Sequence, residues 1–324
     1  MVKPQDSLLG PLLFLIYVND LQTSIDQDCK VLLYADDTAI LFSHNDTRVI
    51  SEKLSRMLKS CYEWLVDNKL SLHLGKTESI LFGPNRKLRS QSPENFSISC
   101  NGINIESKTS VKYLGVMIDQ FLSGDHVVNT ILKKVHQILK FVFRNKNCLE
   151  LQSRKTLCST LMQCHFDYTC SCWYEGLTKQ MKNKLQIVQN KVVRFILGLH
   201  HRKSITYIEF EKLGFLNISN RVKQLRLNHV YNIFNNKCPD YMHKNFTKKL
   251  SFHSHSTRSS SMNYNIPSIK WCESTIFYYS GIKDWNSLPE SVKNCNNKNR
   301  FKTNVKKYLM EKLKNSYQSE FIFY

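Results

Sequence analysis

The amino-acid sequence predicts an α+β fold in its first part and a mostly helical fold after it. Up to Gln120, short β-prone runs alternate with helical segments, whereas beyond Gly124 apolar residues recur mainly at the helical period. The 324 residues, 42% of them hydrophobic, suffice for roughly two domains with buried cores. The eleven cysteines are too sparse for a small disulfide scaffold and indicate a reducing compartment.

The elements of the first part follow from periodicity and turn residues. A helix is predicted over residues 8–22, because Gly10-Pro11 suits a first helical turn. Two apolar runs, 30–34 and 38–42, flank Ala35-Asp36-Asp37 and predict a hairpin. A 3.6-residue apolar period predicts a helix over 47–67, and strands are predicted at 78–83, 96–100 and 111–118, with a polar loop at 84–95.

The second part is predicted to be built from amphipathic helices. Apolar stripes run from Val128 to Val142 and from Leu185 to Ile196, with lysines and arginines mostly off the stripe. Further helices are predicted over 217–236 and 299–314, and the serine-rich residues 251–265 are predicted to form an exposed loop. We therefore expect three regions: 1–120, a basic helical region over 121–238, and a small C-terminal extension over 239–324.

The first apolar run, residues 8–18, is about half the length that a membrane span needs. Asn19-Asp20-Leu21 follows it, where a signal peptide has small residues for cleavage. The sequence therefore predicts no membrane partner and a protein that is not secreted but intracellular, in the cytoplasm, the nucleus or both.

Net charge divides the chain sharply. Residues 1–120 carry 13 basic and 14 acidic residues, whereas residues 121–324 carry 33 basic and 12 acidic ones. An excess of this size favours a polyanionic partner held through phosphate contacts, such as a nucleic acid. The alternative is a solvated basic surface that only maintains solubility.

Tyr34-Ala35-Asp36-Asp37 is the most informative tetrapeptide. Two adjacent acids between apolar runs are costly beside a core. A divalent cation repays that cost, since Mg²⁺ takes one or two carboxylates together with substrate phosphates. An ordinary Asp-rich β-turn explains the same residues equally well.

Seven short motifs occur in a fixed order along the chain. They are Pro4-Gln5-Asp6-Ser7-Leu8-Leu9-Gly10-Pro11-Leu12-Leu13-Phe14, Tyr34-Ala35-Asp36-Asp37, Trp64 with Asn68-Lys69-Leu70-Ser71-Leu72 and Lys76-Thr77, Val111-Lys112-Tyr113-Leu114-Gly115-Val116, His165-Phe166-Asp167-Tyr168, Arg194-Phe195-Ile196 and Trp285-Asn286-Ser287-Leu288-Pro289. In this order they resemble the motifs of non-LTR retrotransposon reverse transcriptases of the jockey or CR1-like kind. The resemblance implies a partial right-hand polymerase palm over 1–120, a basic helical thumb or connection over 121–238, and the C-terminal extension.

By this resemblance, the reaction is two-metal nucleotidyl transfer onto a primer 3′-hydroxyl, with Mg²⁺ or Mn²⁺ as cofactor. Asp36 is then the main metal ligand and Asp37 the weaker one. Lys76 is the candidate proton donor or charge partner for pyrophosphate. A solvated turn lysine after Gly75 is the alternative for Lys76.

The resemblance also implies residues that contact nucleic acid or nucleotide. The implied partners are an RNA template, a DNA primer, their duplex and a dNTP. The implied contact residues are Gln5 and Ser7 beside the nascent base pair, Tyr34 and Ala35 beside the primer end, and Tyr113-Leu114-Gly115 as a primer grip. A core aromatic role remains open for Tyr113.

Two departures from the family pattern predict an N-terminally truncated, inactive chain. The family's upstream metal-binding aspartate and its fingers are expected to be missing. Asp6 stands where the family has Gly, so its charge would face phosphates. We therefore expect the chain alone not to polymerise DNA. A non-catalytic nucleic-acid-binding remnant is the alternative function.

A cysteine-rich stretch in the second part suggests two further interpretations. Cys158, Cys164, His165, Cys170 and Cys172 do not follow the paired spacing of structural zinc sites. Buried free thiols are the favoured interpretation and a zinc site is the alternative.

Overall fold

The computed structural model describes residues 9–84, 86, 88, 96–244, 246–247, 263–266 and 277–320. The chain divides into two compact units, Met1–Leu122 and Ser123–Tyr324. The predicted contact residues Gln5 and Ser7, together with Asp6, lie outside the described residues, as does most of the loops predicted at 84–95 and 251–265. Each unit is described by itself below.

Unit 1 begins with the predicted helix, hairpin and helix. Helix α1, Gly10–Val18, has its proline in the first turn and continues as a 3-10 turn, Asn19–Ser24. Strands β1, Lys30–Tyr34, and β2, Asp37–Leu41, pair as an antiparallel hairpin. Helix α2, Thr47–Asp67, starts at Asp46, whose carboxylate accepts a hydrogen bond from the Arg48 amide. These predictions are confirmed.

A small hydrophobic core joins these elements. Its buried members come from the 3-10 turn and the loop after it and from one face of α2, namely Leu21, Ile25, Cys29, Met57 and Cys61. Alternate residues of the hairpin, Val31, Leu33 and Ile40, pack against this core. One face of the hairpin is thereby attached to α2, and its turn is held at the surface of unit 1.

The rest of unit 1 differs from the prediction in its strands. Strand β3, Glu78–Ser79, pairs in parallel with β5, Ile103–Ser107, which pairs antiparallel with β4, Ile98–Cys100. Strand β5 was not predicted, although Asn101-Gly102 before it, with φ of 49° and 77°, is a typical two-residue hairpin turn. The single strand predicted over 111–118 is wrong, because it folds back as β6, Ser110–Tyr113, and β7, Val116–Asp119.

Unit 2 is helical over its described residues. Its helices are α3, Asp125–Arg144; α4, Leu151–Cys158; α5, Cys164–Asp167; α6, Cys170–Trp173; α7, Lys179–Leu197; α8, Tyr207–Leu213; α9, Ile218–Phe234; α10, Phe277–Asn286; α11, Glu290–Lys293; and α12, Lys298–Glu320. A π-helical turn, Ser159–Gln163, connects α4 to α5. The predicted apolar stripes of α3 and α7 and the predicted helices over 217–236 and 299–314 are confirmed, and so is the mixed α+β class of the chain.

The core of unit 2 draws on helices from both sides of residue 238, where the sequence analysis separated two regions. Tyr231 of α9 stacks on Phe301 of α12 with ring centroids 4.3 Å apart, and Trp285 of α10 packs beside them. Leu227 and Val230 of α9 belong to the same cluster. Helices α9, α10 and α12 therefore share one core.

Candidate active site

The predicted acidic pair lies at the tip of the first hairpin. Tyr34 and Asp37 are cross-strand partners, which leaves Ala35 and Asp36 as a two-residue turn. Ala35 has φ of 52°, a left-handed conformation that is typical of tight hairpin turns. The prediction that these four residues form a hairpin tip is therefore confirmed.

The alternation of side chains along the hairpin explains why the tip faces solvent. Val31 and Leu33 point towards the core, so Leu32 and Tyr34 point the other way. Tyr34 is 64% exposed. Because Asp37 pairs directly with Tyr34, both belong to that outer face. A carboxylate and a phenol ring therefore lie next to each other on an open surface.

From the sequence, the two acids were expected to lie beside the core, where a cation would offset their cost, and this expectation is wrong. Asp36 and Asp37 are both exposed, so hydration can offset their charge and no cation is required to stabilise them. The acids lie between two apolar runs in the sequence, but in the structure they lie at the hairpin turn, outside the core.

Lys76 and Tyr113-Leu114-Gly115 lie on two other turns of unit 1. Lys76 ends a 3-10 turn, Leu74–Lys76, and is exposed. Leu114 and Gly115 form the turn between β6 and β7, with φ of 45° and 82°. Both central residues of such a turn need positive φ, which Gly adopts without strain. Tyr113 is half-buried at the end of β6.

Among the described residues, no ion pair joins Lys76 to Asp36 or Asp37. No group of three or more His, Cys, Asp or Glu side chains placed to hold a metal ion occurs there either. The two adjacent carboxylates at the hairpin tip are thus the metal-ligating groups that the candidate site offers in the described part of the chain.

Other family motifs have structural roles that sequence reasoning did not identify. Asn68 ends α2, where its side-chain amide donates a hydrogen bond to the Trp64 carbonyl at 2.9 Å. The Tyr17 hydroxyl of α1 donates to the Asn68 carbonyl. Lys69 follows with φ of 54°, a conformation that ends the helix. This motif therefore joins α1 to the end of α2.

The motifs of unit 2 also stabilise the fold. Asp167 accepts hydrogen bonds from Arg221 of α9, at 2.7 Å from its Nη2 and 3.1 Å from its Nε. The Asn286 amide accepts from the Tyr264 backbone N–H at 3.0 Å and donates to the Tyr264 carbonyl at 2.8 Å. Trp285 lies in the core beside it.

The cysteine-rich stretch divides into buried and exposed thiols. Cys158 and Cys170 are buried, and burial raises the pKa of each thiol to about 12. Cys164 and Cys172 are exposed, so the prediction of buried thiols is confirmed for the first two and wrong for the other two. The described helices place the four cysteines on α4, α5 and α6.

A buried ion network in unit 2 was not found by sequence reasoning. The Arg226 side chain is 1% exposed, and its Nη2 donates to Glu175 Oε1 at 2.7 Å and to Asp284 Oδ2 at 2.6 Å. Burial would raise the pKa of Glu175, but the charges of Arg226 and Lys182 outweigh it and the pKa is lowered. No motif signalled this network, because its members lie 51 and 58 residues apart.

Comparison with known proteins shows which family the chain resembles. Residues 2–118 match the family described as "Reverse transcriptase (RNA-dependent DNA polymerase)". The predicted resemblance is therefore confirmed: the chain is similar to RNA-directed DNA polymerases of non-LTR retrotransposons. The matched segment contains the acidic hairpin tip, Lys76 and the turn at Gly115.

Three relatives define this similarity further. The chain is 28% identical over 207 residues to the "Probable RNA-directed DNA polymerase from transposon BS" of Drosophila melanogaster, and 26% identical over 211 residues to the "RNA-directed DNA polymerase from mobile element jockey" of the same species. Each match covers 60% of this chain and 22% of the relative. The "Retrovirus-related Pol polyprotein from type-1 retrotransposable element R1" of Nasonia vitripennis is 24% identical over 196 residues, 57% of each chain.

The chain thus spans about a fifth of the length of the first two relatives. Over the described residues, no helix combines the length and the apolar character that crossing a membrane requires.

Proposed function

We propose that this chain is a segment of a retrotransposon RNA-directed DNA polymerase in which unit 1 is part of the palm. The observation that carries the proposal is the position of Asp36-Asp37. Within the segment that matches the reverse transcriptase family, these two acids occupy the exposed tip of a hairpin that is attached to α2. Such a tip is accessible to a primer end and to a nucleotide at the same time.

Asp36 and Asp37 fit a site for Mg²⁺ or Mn²⁺. Both offer exposed carboxylate oxygens, the ligands that these hard cations take, and their openness leaves room for water and substrate phosphates. When bound, a pair of such ions supplies charge stabilisation for the attacking and leaving oxygens of nucleotidyl transfer. Asp36 is the main ligand in this proposal and Asp37 the second.

The neighbouring residues are proposed to position the substrates. Tyr34 and Ala35 flank the primer end, and Tyr34 offers an exposed ring on the same face as Asp37. Lys76 neutralises pyrophosphate charge from its exposed turn. The turn of Tyr113-Leu114-Gly115 supports the primer backbone.

The first helices of unit 2 are proposed to act as a thumb for the RNA–DNA duplex. The basic excess of the chain after Gln120, 33 basic against 12 acidic residues, supports contacts to phosphates. RNA template, DNA primer and dNTP are the proposed partners.

We further propose that the 324 residues alone do not extend a primer. A two-metal site needs more ligands than two adjacent acids supply, and no third acid joins them in the described part of the chain. Asp6 in place of the family's Gly adds negative charge where phosphates would lie.

Two measurements test the proposal. Binding of Mn²⁺, followed by its paramagnetic resonance, should be lost in Asp36→Ala and kept in Asp67→Asn, an exposed acid elsewhere in unit 1. Equal binding by all three proteins would reject the metal site. Primer extension by the parent chain on an RNA template should not exceed that by Asp36→Ala. Extension above this control would reject the proposed inactivity.

A non-catalytic nucleic-acid-binding protein is the second candidate. The observation that favours it is the charge division, since unit 2 carries the basic excess while the candidate site lies in unit 1. This candidate predicts salt-dependent RNA binding without any metal binding that depends on Asp36. The Mn²⁺ measurement therefore distinguishes the two functions.

A further inference from the structure

Helix α3 carries a basic stripe that surrounds an exposed aromatic ring. Lys133, Lys134, Lys140 and Arg144 are all exposed, and their spacing places them along the solvent side of the helix. Phe141 lies on the same side, three residues before Arg144 and seven after Lys134. We refer to these five residues as the α3 stripe.

The exposure of Phe141 is not explained by packing of α3. The opposite side of the helix is well packed, with Val135 and Val142 buried in unit 2. Phe141 nevertheless leaves 66% of its surface exposed, and no described ring stacks on it. Phe143, two residues further on, is 59% exposed but has partners for its ring: Phe195 lies 6.0 Å away between centroids, and the Lys146 ammonium lies 5.7 Å from the Phe143 centroid. A ligand that covers the Phe141 ring would gain the free energy of burying its apolar surface.

In the described part of the chain, the cations of the α3 stripe have no acidic partner, since no carboxylate there forms an ion pair with Lys133, Lys134, Lys140 or Arg144. Lys191 of α7 extends this positive surface, since its Nζ lies 3.5 Å from Nε2 of His136 on α3. A surface with at least five unpaired positive charges is complementary to a polyanion.

We propose that the α3 stripe binds an unpaired nucleic-acid segment, with a base stacked on Phe141 and the adjacent phosphates on the surrounding cations. Stacking requires an open base face, which a single strand offers and a duplex does not. One ring among cations also suits this ligand better than a membrane, because the apolar side of α3 is already buried in unit 2. The inference rests on the nucleic-acid binding in the proposed function and adds to it a single-strand site.

The test compares single-stranded and duplex ligands. Fluorescence anisotropy would give the affinities of the full chain for a labelled short oligo(dU) and for an RNA–DNA hybrid. Phe141→Leu should weaken oligo(dU) binding by roughly 5- to 150-fold, the range measured for base–aromatic stacking, and leave the hybrid affinity and the salt slope unchanged. Phe141→Tyr should bind as the parent protein does, since it keeps the ring.

Two controls separate stacking from other effects. Ile187→Ala removes an exposed apolar side chain from α7 and should leave both affinities unchanged. Phe141→Met is a second variant without a ring, and it should reproduce Phe141→Leu. Circular dichroism should show that all four variants are folded, because neither position lies in the core.

Each other result has a distinct meaning. Unchanged oligo(dU) affinity in both ring-less variants would overturn the single-strand site while leaving the proposed function intact. Absence of nucleic-acid binding by the parent chain at low salt would overturn both. Binding to anionic vesicles, or self-association, that is lost in Phe141→Leu while oligo(dU) affinity stays unchanged would assign the ring to a lipid or protein surface instead and overturn the inference.

Discussion

Removal of the Arg226 side chain should destabilise unit 2 strongly. The guanidinium is 1% exposed, and Glu175 and Asp284, whose side chains are 26% and 16% exposed, both depend on it. In Arg226→Met these two carboxylates remain without their shared cation. Met is also a long side chain and leaves little empty space, so the loss of stability comes mainly from the missing charge and not from a cavity.

The size of the effect follows from the contacts that are lost. Arg226 donates three hydrogen bonds to the two acids, from Nη2 at 2.7 and 2.6 Å and from Nε at 2.8 Å. Breaking a buried ion pair by removal of one partner costs about 3–5 kcal/mol. Arg226→Lys keeps the charge but not the planar fork, so we expect an intermediate loss of about 1–3 kcal/mol.

The matched control removes Arg226 together with the two acids that it contacts. In the triple variant Arg226→Met, Glu175→Gln, Asp284→Asn, the only charge among the described residues that loses its ion-pair partner is Lys182, whose side chain is 28% exposed and can be hydrated, so most of the lost stability should return. Hydrogen exchange of α9 amides measures the opening free energy of unit 2 separately from unit 1. A loss below about 1 kcal/mol in Arg226→Met, or a triple variant as unstable as the single one, would refute this reasoning.

The remaining predictions concern packing, a helix cap and pH. Gly281→Ala should lower the opening free energy of unit 2 by about 1–3 kcal/mol, because its Cβ would lie 2.9 Å from Val230 Cγ2; unchanged exchange in α9 would contradict this. Asp46→Ala should cost about 1 kcal/mol and speed amide exchange in the first turn of α2, whereas Asp46→Asn should retain the cap. Glu175→Gln should destabilise the chain at pH 7. Because the folded pKa of Glu175 is lowered, its contribution is present above the ordinary value of 4.5 and is lost as pH falls through the lower folded pKa, so urea unfolding of the two proteins should converge in acid.

The elements with a clear period were predictable from sequence, and the tight turns were less so. Helix α2 combines 21 amphipathic residues with the Asp46 cap, so its bounds could be predicted closely. The turn at Leu114-Gly115 was missed, because Leu rarely adopts positive φ and the apolar alternation continues through it. The turn at Asn101-Gly102 was also missed, although its composition is a recognised hairpin signal.

For the candidate site, the sequence predicted that Asp36 and Asp37 lie at a hairpin tip but did not predict that they are exposed. The two apolar runs around Ala35-Asp36-Asp37 predicted the hairpin tip, and the order of the motifs predicted the family resemblance. Exposure of Asp36 and Asp37 depends on how far β1 and β2 extend beyond α2, which periodicity does not report. The Arg226 network depends on contacts between residues 51 and 58 positions apart, and no local rule connects such residues.

The buried thiols of unit 2 make the chain a reporter of its own opening. Burial raises the pKa of Cys158 and Cys170 far above neutrality, so both remain thiols at pH 7, and their sulfurs are shielded from solvent. An alkylating reagent should therefore modify exposed Cys148 and Cys164 within its normal reaction time and reach the buried pair only when the helices separate. Because Cys29, Cys61 and Cys100 of unit 1 are buried as well, the slow adducts would be assigned by peptide mapping, and those on Cys158 and Cys170 would record how often unit 2 opens.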